Sequence, residues 1–140
     1  MADSAQILGQ LLATDTALPT SGTLTPSFLY RVPQLTQTIS TATPKSAVFP
    51  TRTIVSSLIV CNTDSLARTY NLALISNEDI DDDGEATCNQ KQILIDTRTL
   101  DSKITEIIGL GITISAGDGL YAWASSTLKV SYNLFGFEIS

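Results

Sequence analysis

The chain has no histidine, only 2 cysteines and no proline beyond position 50. Without histidine, Ser-His-Asp and Cys-His catalysis and His-ligated metal sites are excluded. Cys61 and Cys88 are too few and too far apart for a zinc framework, and 2 cysteines in 140 residues do not make a secreted disulfide scaffold. A reduced, intracellular origin is the expectation. The 8 basic residues are scattered along the chain. A groove that tracks phosphates needs clustered cations, so nucleic acid and anionic membrane surfaces are not expected partners. No apolar run approaches the ~20 residues of a membrane span. The start, Met1-Ala2-Asp3-Ser4, lacks the basic region of a secretory signal, and the apolar run from Ile7 to Leu12 is broken by Gly9 and Gln10.

What remains is a chain long enough for one compact domain of roughly 100–150 residues. At 43% hydrophobic residues it is too apolar to be intrinsically disordered. Its net charge of −6 is local. Six of the 14 acids are Glu78, Asp79, Asp81, Asp82, Asp83 and Glu85, and the other 8 match the 8 bases. Outside that loop the chain is neutral.

All 5 prolines fall in the first 50 residues. Proline removes a ladder donor and belongs on edges, turns and extended arms. The chain therefore divides into a Pro- and Thr-rich stretch, 1–50, read as an extended N-terminal arm plus a first strand, and a body, 51–140. Residues 34–50 (QLTQTISTATPKSAVFP) have no helical period and read as an extended arm or a long loop. The body reads as strands: 53–61, 69–75, 91–97, 103–108, 111–115, 120–124 and 128–134, the last continued by 135–139 with Gly136 at a bulge. Each is a short run of β-branched or alternating apolar residues between turn signals. In 128–134 the alternation puts Leu128, Val130, Tyr132 and Leu134 on one face. With 28–32 (FLYRV) there are eight strands. The expected fold is all-β, an antiparallel β-sandwich or jelly roll. The single helical candidate is 4–13, where Ile7, Leu8, Leu11 and Leu12 share one face after a Ser4 cap.

Few residues suggest chemistry. Asp79, Asp81 and Asp83, followed by Gly84, place oxygen ligands at alternate positions as a calcium loop does. The twelfth position, which needs a bidentate Glu, is Gln90, so the loop reads first as solvated acid and second as a weak calcium site. Tyr121 and Trp123 alternate with Leu120 and Ala122. They read as core or interface aromatics, with a sugar-stacking platform as the alternative. Cys61 reads as a buried, inert thiol. Cys88 beside the acidic stretch is no nucleophile, since neighbouring anions raise a thiol pKa. Asp96, Asp101 and Asp118 are carboxylates that a paired acid–base mechanism could recruit, but Asp101 and Asp118 sit in turn contexts that explain them without catalysis. No catalytic residue and no cofactor are expected, and the protein reads as non-enzymatic.

Five segments occur in order: Leu8-Gly9-Gln10; Leu29-Tyr30-Arg31-Val32-Pro33; Val55-Ser56-Ser57-Leu58-Ile59-Val60-Cys61-Asn62; Gly111-Ile112-Thr113-Ile114-Ser115-Ala116-Gly117-Asp118; and Asn133-Leu134-Phe135-Gly136-Phe137-Glu138-Ile139. The series resembles the small virion structural proteins of tailed bacteriophages, notably cyanophages, which share an LYTVP start, a VSSIVVCN strand, a GITL…GD turn and an FGxEI end. Arg31 stands where that pattern has Thr, and the 34–50 connection and the acidic loop are longer here. The resemblance implies a non-enzymatic β-sandwich that assembles, commonly as a trimer. The expectation is a homotrimeric capsid decoration (cement) protein of the virion, made in the host cytoplasm, that braces neighbouring major capsid subunits. A tail, baseplate or fibre component and a carbohydrate-binding adhesin are the alternatives.

Overall fold

The computed structural model describes residues 6–17, 28–33, 52–80 and 92–139. Eight strands run in the order β1 (Gln6–Leu12), β2 (Phe28–Arg31), β3 (Arg52–Asn62), β4 (Arg68–Ile75), β5 (Ile93–Leu100), β6 (Thr105–Ser115), β7 (Gly119–Ala124) and β8 (Val130–Ile139). They form two four-stranded sheets, β1-β8-β3-β6 and β2-β7-β4-β5. Every pairing is antiparallel. The chain is wound like one long hairpin: β4 meets β5, β3 meets β6, β2 meets β7 and β1 meets β8, with successive pairs alternating between sheets.

The expected all-β sandwich forms because the inward positions are apolar at period two. Val55, Leu58 and Val60 of β3, Tyr132 and Leu134 of β8, Tyr70 and Leu72 of β4, and Leu120, Ala122 and Ala124 of β7 fill one core between the sheets. Each large side chain so buried contributes about 1.5–3 kcal/mol.

The strand count agrees with the sequence, but two strands differ. Within the helical candidate 4–13, residues 6–12 are strand β1, paired with β8 along its length. Its Leu8 and Leu11 pack on the core. A Cβ on Gly9 would run into the Leu29 carbonyl oxygen of β2, so this glycine lets the two sheets close at that corner. In a helix it would only cost stability. Conversely, the expected strands 103–108 and 111–115 are one strand, β6. The Gly109-Leu110 step between them continues the strand, and Gly111 at φ 60 marks a bulge within it. Register shifts at Ile7/Gly9, Val55/Ser57 and the facing stretch of β6 align across the sheet. Leu128 does not join the β8 face: it sits exposed at φ 59 in the turn before Val130.

The stretch expected as an arm contributes a strand to each sheet. After β1 the chain crosses the open end of the sandwich. Ala13 N–H donates to the Val130 carbonyl (2.8 Å), Leu128 N–H to the Ala13 carbonyl (2.7 Å), and Ala124 N–H to the Asp15 carbonyl (3.2 Å). Residues 18–27 and 34–51, the rest of that stretch's interior, lie outside the described residues.

Two tyrosines tie the sheets together through the core. The Tyr132 hydroxyl donates to the Trp123 carbonyl (2.9 Å), and the Tyr30 hydroxyl shares a 2.8 Å hydrogen bond with Thr53 Oγ1. The Tyr70 hydroxyl is buried with no hydrogen-bond partner among the described residues. Burial, and next the Glu106 carboxylate, push its pKa up to about 12. Burial also raises Tyr30 and Tyr132. In the unfolded chain these phenols ionise near 10, so the folded form binds more protons between pH 10 and about 12. Stability is therefore intact below pH 10 and is lost as pH climbs toward 12. Tyr70→Phe removes an unpaired hydroxyl. Its heat-denaturation midpoint at neutral pH is expected to equal or exceed that of the parent, and its decline above pH 10 to be shallower. A lower neutral midpoint in Tyr70→Phe would contradict the unpaired state.

Candidate functional site

Alternation that fills the core also fixes what the β1-β8-β3-β6 sheet turns outward. The register places Gln10, Asn133, Ile59 and Ile107 in one cross-strand row, and Ile7, Phe135, Ser57 and Gly109 in the next. Phe137, Ile54 and Thr113 form a third row, and Leu12, Ser131, Cys61 and Thr105 flank the first. Arg52, at one end of β3, is the one charge in this array among the described residues. The acids of these strands point the other way. Glu106 pairs with Arg98 of β5, and Glu138 accepts from Gln6 Nε2 at 2.9 Å. Ile107 is 72% exposed, and Ile7 and Leu12 are also open to solvent. Depletion of charge around apolar residues is the compositional mark of a protein–protein interface core.

Gly109 is unusual in this array. A Cβ built there has no heavy atom within 4 Å, and its φ is not in the left-handed region. Glycine within a strand costs roughly 0.5–1 kcal/mol relative to alanine. Nothing inside the described chain requires that cost.

The opposite outer face, on β2-β7-β4-β5, is finished by the chain itself. Tyr121 and Trp123 join Ala73, Ile75 and Ile80 in a second apolar cluster, with Phe28 and Ile93 packed against it. Tyr121 stacks on Trp123 with ring centroids 5.8 Å apart, and its hydroxyl donates to the Ala17 carbonyl (3.2 Å). At 2% and 7% exposure neither ring offers an open stacking face. Beside them lies a cavity of about 740 Å³, lined by Thr16, Asn71, Asp96, Thr97, Trp123 and Ser125 among others. Its buried polar group is already engaged: Asn71 Oδ1 accepts from the Thr97 backbone N–H (2.7 Å), and Asn71 Nδ2 donates to the Trp123 carbonyl (3.4 Å). That bond holds Thr97 at φ 50, a conformation a β-branched residue does not keep unaided.

The carboxylates singled out in the sequence do not meet. Asp96 lines the cavity and accepts from Thr97 Oγ1 at 3.0 Å. Asp101 precedes β6 and Asp118 follows it, so an eleven-residue strand of about 36 Å separates them. Asp118 is a turn organiser, accepting from Asn77 N–H (2.9 Å) and Ser115 N–H (3.2 Å). Asp79 ends a short 3-10 turn (Asn77–Asp79) and accepts from Gln92 Nε2 at 2.8 Å. Asp81 and Asp83, the other oxygens of the calcium reading, and Cys88 lie outside the described residues. Cys61 is half-buried on the outer face and not in the core, because its neighbours Val60 and Asn62 take the inward positions.

Sequence reasoning missed the polar organisers. Asn62 is fully buried and donates through Nδ2 to the carbonyls of Leu66 (2.9 Å), Leu100 (3.0 Å) and Asp101 (3.2 Å), while its Oδ1 accepts from Asp64 N–H (2.9 Å). Arg31, the departure from the phage pattern, donates to the Gly117 carbonyl (2.9 Å) and to Asn77 Oδ1 (3.2 Å), fastening β2 to the β6–β7 turn.

No family model, curated protein or solved structure matches this chain.

Proposed function

We propose that this protein is a non-enzymatic structural component of a phage virion, a homotrimeric capsid decoration protein that braces neighbouring major capsid subunits, with its eight strands wound as a jelly roll. The observation that carries the reading is the outer face of β1-β8-β3-β6, an array of aliphatic, aromatic and small polar side chains with one charge at its end. A surface of that composition suits contact with protein. Apart from Arg52 at its end, the described part of this face offers no ionised group to a substrate and no cation to a phosphate. The ordered segments resembling small phage virion proteins support the same reading, and four of the five, 8–10, 55–62, 111–118 and 133–139, lie in this sheet or continue from it. The adhesin alternative loses its platform, since Tyr121 and Trp123 are covered.

The test is stoichiometry. Quantitative mass spectrometry of purified particles is expected to find hundreds of copies per virion. A few to a few dozen copies would move the protein to the tail or baseplate, and none would remove it from the virion.

A further inference from the structure

We propose that the outward face of the β1-β8-β3-β6 sheet is where a second copy of this chain docks, with the β6 border around Ile107 and Gly109 inside the contact. The inference deepens the homo-oligomer reading above and rests on it for the partner's identity.

Three observations select a sister copy. The first is charge. The chain carries −6, and two copies that meet through acidic surface repel one another. The described part of this face holds no acid, so a copy meeting it there meets no opposing carboxylate. A strongly charged partner gains nothing from such a surface, whereas an equally neutral one loses nothing. The second is size. Four strands about 4.8 Å apart, with eleven residues in β3 at about 3.3 Å each, span roughly 19 by 36 Å. That is on the order of 700 Å², close to the ~800 Å² per partner that a standard stable interface buries. The third is Gly109. With open space where its side chain would stand, the chain itself gives no reason for glycine, but the close approach of a neighbouring backbone does. It sits on β6, which pairs only with β3 among the described residues, so the strand borders the sheet where a neighbour can reach it.

The experiment measures the mass of the purified full chain by sedimentation and light scattering across a concentration series, for the parent and for Ile107→Lys, Gly109→Val and Leu66→Lys. Leu66 is also exposed but lies in the β3–β4 connection, off the face. The parent is expected at three times 15.0 kDa. Ile107→Lys and Gly109→Val are expected to weaken association about 30-fold or more, the scale of an interface hot spot, and Leu66→Lys to leave it unchanged. Gly109→Val guards against misfolding, because the added side chain enters open space and valine favours a strand. Its thermal midpoint is expected to match or exceed the parent's at concentrations low enough that both are monomeric. A parent that is monomeric throughout the series, or variants that keep the parent's mass, would overturn the proposal. A parental dimer split by both variants would sustain this face and overturn the three-fold reading. A monomer found at hundreds of copies per particle would overturn this inference and leave the virion reading standing.

Discussion

Replacing Asn62 by alanine is expected to cost about 3 kcal/mol and to lower the thermal midpoint by roughly 10 °C. One side chain here serves four backbone groups drawn from two connections. Its amide nitrogen reaches the carbonyls of Leu66 in the β3–β4 connection and of Leu100 and Asp101 at the end of β5, and its oxygen takes the Asp64 N–H. The Asn62 backbone N–H adds a bond to the Ile104 carbonyl (3.0 Å). Alanine leaves the side-chain-bound groups without their partner at a site where Asn62 itself has no exposure, and a buried unmade hydrogen bond costs about 1–3 kcal/mol. Asn62→Asp separates hydrogen bonding from shape. It is nearly isosteric and keeps the acceptor for Asp64, yet it turns a carboxylate oxygen toward carbonyls that need a donor. The Asp variant is therefore expected to be at least as unstable as the Ala variant. Denaturant unfolding of both checks this; an Asp variant as stable as the parent would show that shape alone matters there.

Deleting residues 1–13 is expected to abolish cooperative unfolding, and not to release a folded body from a dispensable arm. β1 covers the inner edge of β8 with Leu8 and Leu11, and Ala13 is completely buried in the same core. Ala13 also exchanges two backbone bonds with the stretch that leads into β8. Two leucines alone contribute several kcal/mol, a large share of the about 5–15 kcal/mol that holds a domain of this size. Their loss also bares β8 as a hydrophobic edge prone to aggregation. A truncated chain that stays soluble and melts cooperatively near the parent's midpoint would contradict the place given to β1.

The two cases show where sequence is legible and where it is not. The strands of the body are legible because burial between two sheets imposes a period of two, and runs such as Thr53 to Cys61 and Val130 to Leu134 carry it plainly. β1 is not legible as a strand. Ile7, Leu8, Leu11 and Leu12 fit one helical face as well as they fit a bulged strand, and a run this short is settled by its neighbour β8, which lies some 120 residues away. Gly9 and Gly111 mislead for a related reason: a close approach by another strand and a bulge look, in sequence, like a helix fault and a break between two strands. Asn62 and Asn71 carry no local mark that separates a buried organiser from a loop asparagine. The uncharged face is half legible. The outward direction of Ser131, Asn133 and Phe135 follows from alternation, but that they stand beside Ile59 and Ile107 depends on a strand order no local pattern encodes.

The most direct measurement is an electron cryomicroscopy reconstruction of the purified particles. The account predicts a small sandwich on the outer head surface, three copies about a local three-fold axis, each with its β1-β8-β3-β6 face turned toward a sister copy. Isolated copies with that face open to solvent, or particles without the protein, would contradict it.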